Sequence, residues 1–376
     1  MRIGLGAEAL SPQLTGIGRY TWELATRLPG VAGVTDVKLF RDNEWHRHGD
    51  QFLRSIQPTA SRVPRKLKKW LGAHEFARRL FHGPNFFFPP QAENAVITVH
   101  DLSVFRFPET HPIERLNQFE KEFCRSIDKA RHIITDTHYI RQELTELFGV
   151  DATRMTAVPL GVSEEFFEVG DNEMDAALLD QYGLRETRYC LCVATIEPRK
   201  GLDHAVKAFL RFRQQTRDDA ILVIVGASGW NNSELHQLFE DAAAMGAVKF
   251  LGFVTDPSLR AIYRNCRLFL YPSLYEGFGL PVLEAMASGI PVLTSNRSCL
   301  PEVSGGVAAS VDVGDHEAFG EAIAESMQDE TWRSRAIEDG LALARRFNWA
   351  RCAEETVDVY RKLQSGYVPS QSDHRG

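Results

Sequence analysis

The sequence predicts an α/β protein with two domains, each built around a parallel β-sheet. The chain has 376 residues, more than a single hydrophobic core usually organises. Short apolar runs alternate with segments of helical period, which is the pattern of strands connected by helices. This alternation fades over residues 161–186, where acidic and polar side chains dominate, and then starts again. We therefore expect a domain boundary in that stretch.

In the first half, short apolar runs predict strands, and apolar residues recurring every three or four positions predict helices. The first strand is expected at Arg2–Ala7, followed by a glycine-containing loop and a helix over Gly18–Leu28. Further strands are predicted at Val37–Arg41, Ala95–Val99, His132–Thr135 and Met155–Val158, with helices at Pro112–Lys129 and Tyr139–Phe148.

The second half repeats the pattern, so the predicted domains are residues 1–165 and 188–348, joined by a linker at 166–187. A last helix at 349–366 is expected to pack back on the first domain, and residues 367–376 to form a flexible tail. The strands of this half are predicted at Tyr189–Ala194, Ile221–Gly226, Val248–Phe250, Leu268–Tyr271 and Pro291–Ser295, with helices at Leu202–Gln215, Asn232–Met245, Ser258–Asn265 and Leu280–Ser288.

Composition and charge narrow the class of function. A net charge of -7 argues against a nucleic-acid partner. Six cysteines lie without metal-ligand spacing, and we predict a reducing compartment and no bound metal. Without a signal peptide or a transmembrane-length apolar run, the expected location is the cytoplasm. Neither half carries the G-x-G-x-x-G fingerprint after its first strand, which argues against a nicotinamide-dependent oxidoreductase.

The most informative segment is residues 271–289, which follows a predicted buried strand and opens a helix. Gly277 and Gly279 allow the backbone to approach a ligand closely, and exposed amides at the helix start favour an anionic or hydroxyl-rich ligand. Glu276 lies at the carboxyl end of the strand, where sites in open α/β sheets form. The alternative is that Glu276 and Glu284 are ordinary loop and helix acids; the Gly-Phe-Gly-Leu-Pro spacer favours a site.

Two basic residues follow the first strand of the second half. Arg199 and Lys200 lie between Pro198 and Gly201, which predicts a shaped turn from which fixed cations neutralise a diphosphate leaving group. The alternative is a solvated basic surface. The sequence contains no Asp-x-Asp motif for a metal-bound diphosphate, so cationic side chains would have to take that role.

Two weaker signals come from the first half. Gly16 and Gly18 lie at the start of a helix after the first strand, where a backbone without side chains approaches phosphate or sugar; glycine-rich turns are also common without a ligand. His100, followed by Asp101, stands where the strand Ala95–Val99 ends. A structural histidine and a functional one are equally consistent with that position.

Together these residues resemble the retaining glycosyltransferases of family 4, whose E-x7-E motif matches Glu276 and Glu284. The resemblance implies the GT-B fold, in which two Rossmann-like domains face each other across a cleft. It also implies that residues 1–165 form the acceptor side and residues 188–348 the nucleotide-sugar donor side. It is closest to the bacterial branch that builds O-antigens and exopolysaccharides, often from GDP-mannose. Further agreement lies in Gly16-Ile-Gly-Arg-Tyr20, Val99-His-Asp-Leu102, Glu197-Pro-Arg-Lys-Gly201, Gly229-Trp230 and Leu300-Pro-Glu302.

The resemblance implies a role for each site residue. Glu276 would contact hydroxyls of the donor sugar, and Glu284 the ribose of the nucleotide. Arg199 and Lys200 would bind the diphosphate, while His100 would touch the sugar. Backbone contacts are implied for Gly16 and Gly18 at the phosphates, and for Gly277, Phe278, Gly279 and Leu280 around the sugar.

The expected reaction is hexosyl transfer, with mannose the favoured sugar, to a saccharide or a polyprenyl-diphosphate-linked acceptor. Retention is implied, with no cofactor and no metal, and Glu276 would position the sugar rather than attack it. Alternatives are a UDP-sugar donor, a non-catalytic scaffold subunit of the same fold, an epimerase or a phosphorylase. Asp136-Thr-His138 departs from the Asn-Ser or Thr-Ser that family members often carry at this strand end.

A basic run at Arg62–Arg79 contains Val63, Leu67, Trp70 and Leu71 at helical spacing. Such a pattern suits docking on anionic lipid, where a polyprenyl-linked acceptor would reside. An ordinary amphipathic helix with a solvated basic face fits equally well. Peripheral association with the inner face of the plasma membrane is therefore one of two predictions for this segment.

Overall fold

The computed structural model describes residues 1–11, 16–47, 74–227 and 233–364. Contacts divide these residues into two compact units. The first unit comprises residues 1–102, 114–161 and the segment from Trp349 onward. The second comprises residues 103–113 and 162–348.

The first unit is built on a mixed sheet. Within the described residues its strands run in the order β3-β2-β1-β4-β5-β6-β7, and every neighbouring pair is parallel except β2 and β3. The strands are β1 Arg2–Gly6, β2 Asp36–Arg41, β3 Glu44–Arg47, β4 Leu80–Gly83, β5 Ala95–Val99, β6 His132–Thr135 and β7 Met155–Ala157.

The second unit carries a sheet in which all neighbours are parallel, in the order β10-β9-β8-β11-β12-β13 over the part of the chain that the structure describes. Parallel strands of this kind are buried on both faces and consist of continuous apolar runs. The strands are β8 Tyr189–Val193, β9 Ile221–Val225, β10 Val248–Gly252, β11 Leu268–Tyr271, β12 Val292–Ser295 and β13 Ala309–Val311.

Helices connect the strands, and local sequence fixes several of their ends. The Thr137 hydroxyl caps α4 by accepting from the amide of Ile140, and Gly149 ends that helix with a φ of 64°. The helices are α1 Gly16–Arg27, α2 Ser103–Arg106, α3 Ile113–Lys129, α4 His138–Phe148, α5 Asn172–Asp180, α6 Leu202–Thr216, α7 Ser233–Ala244, α8 Asp256–Asn265, α9 Leu280–Ala287, α10 Leu300–Ser304, α11 His316–Gln328, α12 Glu330–Ala344 and α13 Trp349–Gln364.

The C-terminal helix α13 packs within the first unit. The Tyr360 hydroxyl hydrogen-bonds His82 Nδ1 on β4 at 2.7 Å, and Arg131 donates to the carbonyl of Leu363 at 2.9 Å. Complete burial lowers the pKa of His82 to about 3, so its ring is neutral, with one nitrogen donating and the other accepting. α13 therefore completes the polar as well as the apolar interior of this unit.

The limits of the two units differ from the predicted ones. Residues 166–187, predicted as a linker, contain α5, and Asp175 on this helix forms an ion pair with Arg264 of α8. Leu179 on this helix is buried, and burial of its apolar side chain explains why the acidic segment packs on the second unit as a helix. Residues 103–113 also belong there, since the Phe107 ring lies 5.5 Å from the Tyr275 ring.

Only the end of the basic run, residues 74–79, lies within the described residues. Residues 62–73 lie outside them, so the predicted membrane contact of that part stays a prediction. Arg79 is 5% exposed and donates to Glu75 at 2.7 Å and to the carbonyl of Ile3 at 3.1 Å. This residue is therefore an internal ion-pair partner and does not contribute to a lipid-facing surface. Among the described helices, none combines the length and apolarity that a membrane crossing requires.

Candidate active site

The loop after β8 forms a short 3₁₀ turn, Pro198–Lys200, against the loop after β11. Gly201 follows it with a φ of 62°, and a Cβ atom there would lie 2.3 Å from the Pro272 carbonyl oxygen. The amide of Leu274 donates to the carbonyl of Arg199 at 2.8 Å, which joins the two loops. Only glycine permits this approach, and the approach brings the cations to the carboxylate of Glu276.

Glu276 is the centre of a dense hydrogen-bond cluster and is only 7% exposed. Lys200 Nζ donates to its two carboxylate oxygens at 2.7 and 2.9 Å. The Tyr271 and Ser273 hydroxyls donate to Oε1 at 2.8 and 2.6 Å. Residues from the ends of the neighbouring strands β8 and β11 thus hold one carboxylate in a fixed position.

Arg199 stands beside this pair. Its Nε donates to Glu197 at 3.0 Å, its Nη1 donates to the Tyr275 carbonyl at 3.3 Å, and the same nitrogen lies 3.8 Å from Glu276 Oε2. Burial by itself raises the pKa of Glu276, but the charges of Lys200 and Arg199 outweigh it and lower the pKa. The carboxylate is therefore ionised at neutral pH and cannot serve as a proton donor.

The segment from Gly277 to Leu280 leads from Glu276 into α9. Gly279 has a φ of 93°, and a Cβ atom there would stand 2.8 Å from a methyl of Leu300. The amide of Glu276 donates to the Ser298 hydroxyl at 3.0 Å, while the buried Phe278 ring packs against Phe347. Gly279 is therefore required by packing against Leu300, and the predicted close approach of this backbone to a ligand stays a prediction.

Glu284 lies one turn into α9 and is half-buried. The Tyr263 hydroxyl donates to its Oε2 at 3.1 Å. This bond fixes the carboxylate on the side of the helix that faces α8. The predicted ribose contact of Glu284 remains a prediction.

The first unit holds the other predicted site residues. Gly16 is the first residue of α1, and apart from its chain neighbours and its own helix, no described residue comes within 4 Å of a Cβ atom built there. Gly18 is buried in the same helix. Two residues further, the Tyr20 ring packs edge-on against the His100 ring at 4.9 Å, so α1 and His100 share one environment.

His100 uses both ring nitrogens inside this unit. Nε2 lies 2.8 Å from the Pro84 carbonyl and Nδ1 lies 2.8 Å from Asp136 Oδ2. A carbonyl only accepts, so Nε2 carries a proton. The predicted sugar contact would require Nε2 to exchange the Pro84 carbonyl for a sugar hydroxyl. The sequence drew attention to Asp136 only as a departure from the related proteins; the pairing with His100 explains its presence.

Burial lowers the pKa of His100, but the adjacent Asp136 carboxylate outweighs it and raises the pKa above its ordinary value. His82 and Tyr20 also face the ring, and Asp101 adds a further negative charge. Replacement Asp136→Asn removes the closest carboxylate, so burial then dominates and the pKa should fall below about 6.5. The ring would lose its proton at a lower pH in the variant than in the wild type.

Ring ¹⁵N shifts of His100, followed by NMR across pH 5 to 8, measure this change. The control is Asp128→Asn, which removes an exposed carboxylate from α3. If His100 titrates at the same pH in the Asp136 variant and the wild type, Asp136 does not set its charge.

Comparison with known proteins shows which family the chain matches. Residues 14–166 match the family model described as Glycosyltransferase Family 4, and residues 178–342 match that described as Glycosyl transferases group 1. The O-antigen chain mannosyltransferase B of Escherichia coli is 36% identical, and the match covers 96% of this chain and 100% of that protein. The chain belongs to glycosyltransferase family 4. The predicted family, enzyme class and GT-B fold are thereby confirmed.

Further relatives of this family 4 glycosyltransferase extend the comparison. The serotype-specific mannosyltransferase WbdA of Escherichia coli is 30% identical over 65% of this chain, which corresponds to 30% of WbdA. The crystal structure of WaaG, a glycosyltransferase involved in lipopolysaccharide biosynthesis, has a TM-score of 0.70 at 16% identity and covers 95% of this chain and 99% of its own. Anabaena HepE in complex with UDP and glucose has a TM-score of 0.72 at 18% identity, with coverage of 96% and 100%. At these identities the two structures show the fold alone.

The site also contains residues to which the sequence motifs assigned no role. Tyr271 and Ser273 donate to Glu276, Glu197 anchors Arg199, and Tyr263 binds Glu284. Tyr271 and Ser273 lie just before the E-x7-E motif, so their closeness to Glu276 in the sequence could have indicated these contacts. Tyr263 is on another helix, and only the packing of α8 against α9 brings it to Glu284.

Proposed function

We propose that the chain transfers a mannosyl residue from GDP-mannose to a saccharide or lipid-linked saccharide acceptor during synthesis of a cell-surface polysaccharide. The observation that carries the proposal is the cluster of Lys200, Arg199 and Glu276 at the ends of two neighbouring strands. A relative whose match covers 96% of this chain is named an O-antigen chain mannosyltransferase, which supports mannose as the sugar.

In the proposed reaction, the bond from the anomeric carbon to the diphosphate breaks while the acceptor oxygen bonds to the same face of the sugar. Lys200 and Arg199 compensate the negative charge that develops on the departing diphosphate. The acceptor proton passes to an oxygen of that phosphate. The anomeric configuration is retained, and the charge compensation comes from side chains without a metal.

Glu276 positions the donor sugar in this proposal and does not form a covalent bond to it. Oε1 already accepts from Tyr271, Ser273 and Lys200, which withdraws electron density from the carboxylate. Oε2 receives one bond from Lys200 at 2.9 Å and has a further lone pair for a sugar hydroxyl. An ammonium carries three protons, so Lys200 can bind both Glu276 oxygens and still donate to a phosphate.

The proposal predicts that Glu284→Ala weakens nucleotide binding by about 10- to 100-fold, because charged hydrogen bonds contribute roughly 1.5–3 kcal/mol. Calorimetric titration of GDP, UDP and ADP in the presence of EDTA measures the affinities. The matched control is Glu321→Ala, which removes an exposed carboxylate from α11, away from the site. We expect GDP to bind more tightly than UDP or ADP, and the control to bind it with near wild-type affinity.

Other results would contradict parts of the proposal. Unchanged affinity in Glu284→Ala would contradict the contact of Glu284 with the ribose. Tighter binding of UDP than of GDP would identify a UDP-sugar as the donor. A requirement for divalent metal would contradict the role of the two cations. Absence of binding to all three nucleotides would favour the non-catalytic scaffold subunit.

We also propose a cytoplasmic location with peripheral binding to the inner face of the plasma membrane. The support is the composition of residues 62–73, which contain alternating basic and apolar side chains. Sedimentation with vesicles tests this, and equal binding to neutral and anionic vesicles would contradict it.

A further inference from the structure

The loop that follows β12 lies against the segment from Glu276 to Gly279, and three consecutive residues of the loop make contacts there. The Ser298 hydroxyl accepts the hydrogen bond of the Glu276 amide at 3.0 Å. The Cys299 thiol donates to the Glu276 carbonyl at 3.2 Å. A methyl of Leu300 would stand 2.8 Å from a Cβ atom at position 279. Leu300 begins the Leu-Pro-Glu motif, for which the proposed function gives no role.

These contacts hold the backbone of Glu276, whereas the loops after β8 and β11 hold its carboxylate. Rotation about the side-chain bonds of a glutamate would let the carboxylate keep its partners while the backbone shifted. Hydrogen bonds to both the N–H and the C=O of Glu276 remove that freedom, because they fix the peptide groups on either side of it. Cys299 is completely buried, so water does not compete for the carbonyl.

The carboxyl end of β12 adds two contacts to the same segment. The Thr294 hydroxyl donates to the Tyr271 carbonyl at 3.1 Å, and the Ser295 hydroxyl donates to the Ser273 carbonyl. Tyr271 and Ser273 are the residues whose hydroxyls bind the Glu276 carboxylate. The end of β12 and the loop after it therefore hold the backbone of Glu276 and of two residues that bind its side chain.

Ser298 has a backbone conformation that favours glycine. Its φ is 51°, in the left-handed region that glycine adopts without strain. Within the described residues of the second unit, the other non-glycine residue with a positive φ is Arg217, at 58°. Arg217 is exposed at the end of α6, a common place for this conformation. Ser298 is half-buried beside Glu276, and strained residues of this kind cluster at functional sites.

We propose that Ser298 and Cys299 are positioning residues for the transfer reaction, which set the place where the Glu276 carboxylate meets the donor sugar. The inference rests on the proposed role of Glu276 and extends it to a loop without an assigned function. The two residues act through Glu276 and need no contact with the donor. Their loss should lower kcat and leave the affinity for GDP unchanged, because GDP lacks the sugar that Glu276 contacts.

The first test compares Ser298→Gly with Ser298→Ala. Both remove the hydroxyl, but glycine also relieves the strain and alanine keeps it. Ser298→Gly should have a Tm close to that of the wild type and above that of Ser298→Ala. Both should lower kcat with GDP-mannose by about tenfold, since a displacement of about 1 Å can cost about 100-fold. Calorimetry should give an unchanged Kd for GDP.

Arg217→Gly is the matched control for the first test. It relieves the same type of backbone strain at the end of α6 that lies away from Gly201 and the site. Its kcat should equal that of the wild type. If glycine at position 298 lowers kcat without lowering the Tm, a purely structural role of the serine does not account for the loss.

The second test concerns the bond to the Glu276 carbonyl. Cys299→Ala removes the donor, whereas Cys299→Ser keeps one. We expect kcat to fall by about tenfold in the alanine variant and to return to within about threefold of wild type in the serine variant, as one hydrogen bond allows. The control is Cys266→Ala, which removes a buried cysteine that precedes β11, at the opposite end of this strand from Glu276.

Several results would overturn the proposal. Wild-type kcat in Ser298→Gly would mean that the hydroxyl is not needed, and equal losses in both Cys299 variants would assign that side chain to packing. A rise in the Kd for GDP that parallels the loss of kcat would place the effect on nucleotide binding. A wild type that neither binds GDP nor transfers mannose would contradict the proposed function and this inference together, whereas normal wild-type transfer with unchanged variants would contradict this inference alone.

Discussion

Replacement of Arg199 and Lys200 together by alanine is expected to lower kcat by about 10⁴-fold, since one preorganised donor is worth roughly 10²- to 10³-fold. The structure places both cations at the carboxyl end of β8, within a turn that Gly201 allows to approach the loop after β11. They are fixed before the donor arrives, so no reorganisation accompanies the departure of the diphosphate. Transfer of radiolabelled mannose from GDP-mannose measures the effect.

A matched control removes two cations from the same unit without touching the site. Lys207 and Arg211 lie on the exposed side of α6 and pair with Asp203 and Glu317. The double replacement Lys207→Ala/Arg211→Ala should keep near wild-type turnover. Turnover above a tenth of wild type in the Arg199/Lys200 variant would contradict the diphosphate role of these residues.

The second large effect is expected for Glu276→Gln, in both stability and turnover. Removing one partner of a buried ion pair costs about 3–5 kcal/mol, and Lys200 would keep its charge beside a neutral amide. Because Tyr271 and Ser273 can still donate to the amide oxygen, the expected loss is about 3 kcal/mol, the lower end of that range. Turnover should fall by about 10²-fold or more, because the sugar loses a charged contact.

The pH dependence follows from the lowered pKa of Glu276. A lowered native pKa adds stability above the ordinary glutamate value of about 4.3, and this contribution is lost as the pH falls through the native pKa. The stability difference between wild type and Glu276→Gln should therefore be full at pH 7 and shrink in acid below about pH 4.3. Urea unfolding at several pH values measures it, with Glu321→Gln on the surface of α11 as the control.

A double-mutant cycle separates the structural role of the ion pair from its catalytic role. Lys200→Met leaves the buried Glu276 carboxyl without its main cationic partner, whereas Lys200→Met/Glu276→Gln removes both members of the ion pair. The double variant should recover much of the stability that either single variant loses, and it should recover no activity. Recovery of activity along with stability would mean that the pair only maintains the fold.

Several parts of the fold could be predicted from the sequence because their signals are local. The apolar runs that form β8, β9, β11 and β12 are continuous, as expected of strands buried on both faces. The sequence did not predict β4. This strand contains the buried polar residue His82, whose partners Thr98 and Tyr360 lie on β5 and α13. The acidic residues before β8 suggested a linker, although α5 packs against α8 in the second unit.

For the site, the sequence by itself determined which residues stand at strand ends: Arg199 and Lys200 after one apolar run, and Glu276 after another. Only the tertiary structure decided that these two strands are neighbours, because strand order depends on how distant segments pack. The same holds for the pairing of Asp136 with His100. Periodicity and turn chemistry act over a few residues, whereas these contacts join residues between about 30 and 80 positions apart, such as His100 with Asp136 and Lys200 with Glu276.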